Sequence, residues 1–92
     1  TGEQLHSALA SHYDNEAFVQ VMPFNTTDLR NGAFLDPMDV NDTNKVQVFV
    51  FANDARKEAL LVARLDNLGK GASGAAVQNL NIMLGCSENI GL

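Results

Sequence analysis

Hydrophobic residues fall into stretches with different periods along this chain. Over residues 3–13, Leu5, Ala8, Leu9 and His12 recur at i, i+3, i+4 and i+7, one stripe of a helix, and Thr1 with Gln4 has the spacing of a capping box at its start. Residues 17–22 read as a strand that Pro23 stops. Over residues 45–51, Val46, Val48 and Val50 alternate with Gln47, Phe49 and Phe51, so this strand carries a valine face and a mostly aromatic face. Residues 53–58 form a polar turn and residues 59–65 a second apolar strand, which predicts an antiparallel hairpin. Ala76, Val77, Leu80, Met83 and Leu84 mark the core stripe of a last helix, closed by Gly85. Residues 25–42, with Asn31, Gly32 and Pro37, are loop-like. The elements predict an α+β fold, a small antiparallel-rich sheet flanked by two helices. A strand that is apolar on both faces needs cover on both, and two short helices supply little of it. Part of the surface is therefore expected to face another domain or subunit.

Composition narrows the class. With 46% hydrophobic and 18% charged residues in 92, the chain supports one small core and one domain at most. A formal net charge of −5, with six scattered Lys and Arg, is the wrong balance for nucleic acid. No apolar run approaches the ~18 residues of a membrane span, and no charged-then-apolar leader is present, so neither membrane nor signal peptide is expected. The single Cys86 cannot form an internal disulfide, which fits a reducing cytoplasm.

Most candidate chemistry dissolves on inspection. Gly69, Gly71 and Gly74 satisfy G-x-G-x-x-G, but no strand follows and no acidic residue stands about 20 positions on, so a dinucleotide fingerprint is not expected. Cys86 lacks the nearby base and activating field of a nucleophilic thiol. His6 and His12 are separated by about 240° around a helix and cannot form an i, i+4 metal pair. Asp36, Asp39, Asp42 and Asp54 lack the spacing of a calcium loop and read as a solvated face; no metal is expected.

The segment from Leu65 to Gly85 says more. Asp66-Asn67-Leu68, Lys70-Gly71-Ala72, Gly74, Ala76-Val77-Gln78-Asn79, Asn81 and Gly85 resemble the C-terminal signature of N-acetyl-gamma-glutamyl-phosphate reductase, roughly DNLxKGAxGxAVQNxNxMxG. Gly69 and Ala75 fall at positions that vary in that family. Upstream, Tyr13, Glu16 and Phe18-Val19 are similar to the segment before the family's last strands, and Thr43-Asn44 to a polar turn before one of them. Downstream, Glu88-Asn89-Ile90-Gly91-Leu92 resembles the family's C-terminus. The likeness is weakest from Phe24 to Val40. Aspartate-semialdehyde dehydrogenases share some of these elements, but the Asn79 and Asn81 pair fits the former family better.

The resemblance implies that residues 1–92 are a single partial domain, the C-terminal part of a semialdehyde dehydrogenase dimerisation and catalytic domain, with residues 71–85 as the last helix returning to a nucleotide-binding domain. The implied parent is a cytoplasmic, homo-oligomeric, NADPH-dependent oxidoreductase of arginine biosynthesis that makes N-acetylglutamate semialdehyde through a thioester on an upstream cysteine. The family's nucleotide-binding domain, catalytic cysteine and catalytic histidine have no counterpart among these residues, which begin Thr1-Gly2, so this chain alone is expected to be inactive. Its expected contribution to NADP binding is Asn67, Gly69, Lys70 and Gly71. The Asn67 amide can both donate to and accept from a nicotinamide carboxamide, and the glycines let the backbone come close. On the other reading Asn67 caps the helix, the glycines allow tight packing and Lys70 is simply exposed. The functional alternatives are an aspartate-semialdehyde dehydrogenase, or a non-catalytic binding module of the same fold.

Overall fold

The helix-start signal at Thr1 is realised in the computed structural model, which describes residues 1–92. The Thr1 hydroxyl accepts from the Gln4 N–H at 3.2 Å, and the Gln4 carboxamide accepts from the Thr1 amino group at 2.9 Å, which opens α1, Gly2–His12. The inward face of α1 is rotated from the expected stripe: Leu5, His6, Leu9 and Ala10 are half-buried, whereas Ala8 and His12 are exposed. On this inward face Gly2 is buried against Ala52 and Phe24, and His6 Nε2 lies 2.8 Å from the Met22 carbonyl oxygen. A carbonyl only accepts, so Nε2 carries the proton.

Three strands follow, β1 (Val19–Val21), β2 (Val46–Asn53) and β3 (Glu58–Leu65), in the order β1-β2-β3. The expected hairpin is present, with Val46 opposite Leu65 at one end and Asn53 opposite Glu58 at the other. The sheet as a whole is mixed, because β1 runs parallel to β2, with Val19 opposite Val46. Parallel neighbours need a long crossover, and residues 22–45 provide it. Within that crossover, Asn31 and Gly32 both take positive φ and turn the chain so that Arg30 pairs with Phe34.

The core is small. Phe49 and Val50, each 1% exposed, point to opposite faces of β2, and with Val40 they are the only fully buried large apolar residues. Val50 lies on the face that carries α1. Phe49 is covered by Arg64, whose guanidinium sits 5.0 Å from the ring centroid. Arg64 also donates to the Asp36 carbonyl at 3.0 Å, to Asp39 at 3.1 Å and to Gln47 Oε1 from two nitrogens. One arginine thus holds the crossover loop over the aromatic face.

The last helix, α2 (Gly74–Met83), follows a π-helical turn, Gly69–Ser73. It ends where Gly85 takes φ +68°, with Gly85 N–H donating to Ile82 O and Cys86 N–H to Asn81 O, a Schellman closure. Instead of flanking the sheet, α2 packs against the turn that precedes it. Its apolar stripe finds no core within this chain: Val77 is half-buried, but Leu80, Met83 and Leu84 are exposed, as are Leu60 and Leu61 on β3. The molecule is elongated, 48 × 27 × 16 Å. Isolated, it is expected to self-associate or to bind a hydrophobic dye, checked by light scattering and dye fluorescence on dilute samples. A monodisperse, dye-negative monomer contradicts this.

Candidate functional site

The link between β3 and α2 is built around a carboxylate. Asp66 Oδ1 accepts from the Leu68 N–H at 3.1 Å, and Oδ2 accepts from the Asp42 N–H at 2.9 Å. Hydrogen bonds from the N–H groups of Asp42, then Leu68 and Gly69, hold the Asp66 carboxyl below the usual carboxylate range. After it, Gly71 N–H reaches the Asp66 carbonyl at 3.0 Å and Ser73 N–H the Leu68 carbonyl at 3.2 Å, the i to i−5 pattern of a π turn. Neither the π turn nor α2 has a side-chain cap, so Asn67 does not fill the local capping role that one reading gave it; Asp66 braces the entry to the turn through the Leu68 N–H. Asn67 itself is exposed, and its amide makes no hydrogen bond within the chain.

The three glycines are set by close approach, since none has positive φ. A Cβ on Gly69 would come 2.7 Å from the Thr43 carbonyl oxygen, and one on Gly74 2.2 Å from Asn44 Oδ1. These two glycines let the turn after β3 lie against the polar turn before β2. At Gly71 a Cβ would lie 2.8 Å from Asn67 Oδ1, so this glycine leaves room for the asparagine amide. Between the two turns is a cleft of about 450 Å³, with Asp42, Asn44, Asp66, Gly69, Gly74 and Leu92 among its walls.

Lys70 is neither free nor simply exposed. Its Nζ donates to Gln78 Oε1 and lies 5.8 Å from the centroid of the Phe18 ring. The same Gln78 oxygen accepts from Asn44 Nδ2 at 2.9 Å, while Gln78 Nε2 donates to Glu88 Oε2 at 3.1 Å. An ammonium only donates and a carboxylate only accepts, so Lys70 and Glu88 fix the orientation of the Gln78 amide. Gln78 in turn fixes Asn44, leaving its buried Oδ1 with no hydrogen-bond partner, against Gly74. One turn along α2, the buried Asn81 donates to the carbonyls of Glu88 and Ile90, at 3.1 and 2.8 Å, and pins the tail.

Asn67, Gly69, Lys70 and Gly71 therefore share one turn; the Asn67 amide makes no hydrogen bond within the chain, whereas Lys70 spends one of its three N–H donors on Gln78. Sequence reasoning missed Asp66, Gln78 and Glu88 as partners of that turn. The available signal was the amides Gln78 and Asn81 set in the mostly apolar run of residues 75–84. Cys86 is exposed beyond the helix end. The carboxylates are dispersed: Asp36 pairs with Arg30, Asp39 with Arg64, and Asp54 accepts from the Gly2 N–H. No group of three or more His, Cys, Asp or Glu is gathered to hold a metal ion, and no helix is long and apolar enough to cross a membrane.

Residues 1–67 match the family model described as semialdehyde dehydrogenase, dimerisation domain. The chain belongs to that family. It is 68% identical over its whole length to a protein named N-acetyl-gamma-glutamyl-phosphate reductase 2 from Nostoc sp., of which it spans 29%. A reductase of the same name without the numeral, from Trichormus variabilis, is also 68% identical over the whole chain and 29% of its own length. One from Burkholderia cenocepacia is 53% identical over 96% of this chain and 28% of its own. The chain thus spans under a third of the length of these curated relatives.

The Asp66 cradle carries a pH signature. A carboxyl whose folded pKa is lowered adds stability that is present above its unfolded pKa and is lost as pH falls through the folded value. Asp66→Asn should therefore be less stable than the parent chain at neutral pH, and the gap should narrow below about pH 4. Urea unfolding across that range checks this; a gap independent of pH contradicts it.

Proposed function

We propose that this chain is the C-terminal part of a cytoplasmic, NADPH-dependent reductase that converts N-acetyl-gamma-glutamyl phosphate to N-acetylglutamate semialdehyde in arginine biosynthesis. The observation that carries the reading is the 68% identity over the whole chain to relatives that bear that reductase's name. The catalytic thiol, its base and most of the nucleotide site then belong to the remainder of the protein. This chain contributes scaffold, a surface for a second copy and one wall of the cofactor cleft. The uncovered apolar residues of β3 and α2 support that division, since each needs a partner outside the chain.

On the exposed side of the turn, beside the cleft of about 450 Å³ that Gly69 lines and Asn67 does not, Asn67 holds the nicotinamide end of the cofactor, which supplies the hydride when bound. Its amide fits the task because both halves of it are unused: Nδ2 donates and Oδ1 accepts, the complement of a carboxamide in one orientation. Gly71 keeps the space beside that amide open, and Gly69 lets the turn seat against residues 42–44. Lys70 serves the site by anchoring the turn to α2 through Gln78. The names of the relatives favour this substrate over an aspartyl one.

Full-length enzyme carrying Asn67→Ala should turn over more slowly, having lost hydrogen bonds worth roughly 0.5–1.5 kcal/mol each and the hydride geometry they enforce. Its melting temperature should barely move, because the Asn67 side chain caps neither helix and makes no hydrogen bond that the substitution would remove. Asn67→Asp should also be stable and impaired, as a carboxylate cannot donate to the carboxamide oxygen. Steady-state kinetics beside thermal melts decide it. Unchanged turnover and cofactor affinity in both variants would leave Asn67 without the proposed role.

A further inference from the structure

We infer that Gln78 is a positioning residue, which ties the C-terminal tail to the cofactor turn and so sets the orientation of Asn67. This rests on the reading of Asn67 given above. Gln78 is half-buried on α2 and touches three separate parts of the chain. On the turn it accepts from Lys70, three residues after Asn67. Before β2 it accepts from Asn44, which lies against Gly74. In the tail it donates to Glu88.

The arrangement is an ion pair split by an amide. Lys70 faces no carboxylate directly, and the ones that form the chain's ion pairs, Asp36, Asp39 and Glu58, are engaged with arginines. Its charge is balanced by Glu88 across the Gln78 carboxamide, whose dipole is aligned with both ends. Such aligned, charge-assisted hydrogen bonds are stronger than neutral ones. Asn81 adds rigidity from the same helix by holding the Glu88 and Ile90 carbonyls, which keeps Glu88 in reach of Gln78. If the Gln78 to Glu88 bond fails, Lys70 and Asn44 lose a fixed acceptor, and the turn loses its anchorage to α2 while Asp66 still holds the Leu68 and Asp42 N–H groups.

The test is a polarity swap in the full-length enzyme. Gln78→Glu keeps the oxygen that Lys70 and Asn44 use but sets two carboxylates against each other where Gln78 donates to Glu88. Glu88→Gln combined with it restores a donor and an acceptor in inverted order. In Gln78→Glu, NADPH should bind about tenfold more weakly by fluorescence titration, the size expected for one charge-assisted hydrogen bond. Hydrogen exchange of residues 66–73 without cofactor should quicken, and the KM for the acyl phosphate should stay within about twofold, well below the tenfold effect of such a bond. The double variant should restore both the affinity and the exchange protection. Should Gln78→Glu fail to fold, Glu88→Ala carries the same expectation without adding charge. Weakened stability with wild-type affinity and turn exchange would overturn the inference, as would a double variant that rescues nothing. Asn67→Ala measured alongside separates the two levels: an inert Asn67→Ala sinks both readings, whereas an impaired Asn67→Ala with an unaffected Gln78→Glu sinks only this one.

Discussion

Side-chain amides, not an apolar core, attach α2 to the rest of this molecule. Its buried positions are Gly74 and Asn81, and its main ties run through Gln78 and Asn81 to residues 44, 70, 88 and 90. A buried amide that loses its partner costs about 1–3 kcal/mol, so the network tolerates few alternative arrangements. Gly69 and Gly74 belong to the same constraint, since any side chain there would force apart the two polar turns that the network joins. The geometry of the turn after β3 follows from these contacts.

Because α2 is held by polar groups at one end, its apolar stripe is free to face outward, and the thin sheet leaves Leu60 and Leu61 uncovered as well. These are two distinct surfaces, one on the sheet and one on the last helix. The chain belongs to a dimerisation-domain family and spans 29% of the length of its relatives. The fold is consequently a platform: Arg64 and α1 stiffen the sheet from either side, and the polar network sets the turn at its end.

Much of this was legible in the residues. The alternation of Val46, Val48 and Val50 with Phe49 and Phe51 located β2, and the polar residues 53–58 located the hairpin. The direction of β1 was not read, because β1 has only three paired residues and the evidence for parallel pairing lay in the length of the crossover rather than in any motif. The inward face of α1 includes Gly2, packed on Ala52 and Phe24, and His6, bonded to Met22, two long-range contacts that no helical period encodes. On α2 the period is right, but the stripe is not a core within this chain: Leu80, Met83 and Leu84 face outward, Val77 is half-buried, and the buried positions are Gly74 and Asn81. Asn67, Gly69, Lys70 and Gly71 were placed on one turn by their signature. The division of labour among them was hidden, because the bond from the Asp42 N–H to Asp66 and the capture of Lys70 by Gln78 depend on distances across the fold.

The proposed role of Asn67 puts its turn against the nicotinamide of the bound cofactor. The most direct measurement is an experimental structure of the full-length protein with NADP bound. The account predicts the Asn67 amide within hydrogen-bond distance of the nicotinamide carboxamide, about 2.7–3.2 Å, with Lys70 still on Gln78. A carboxamide held entirely by other residues, with Asn67 pointing into solvent, would contradict it.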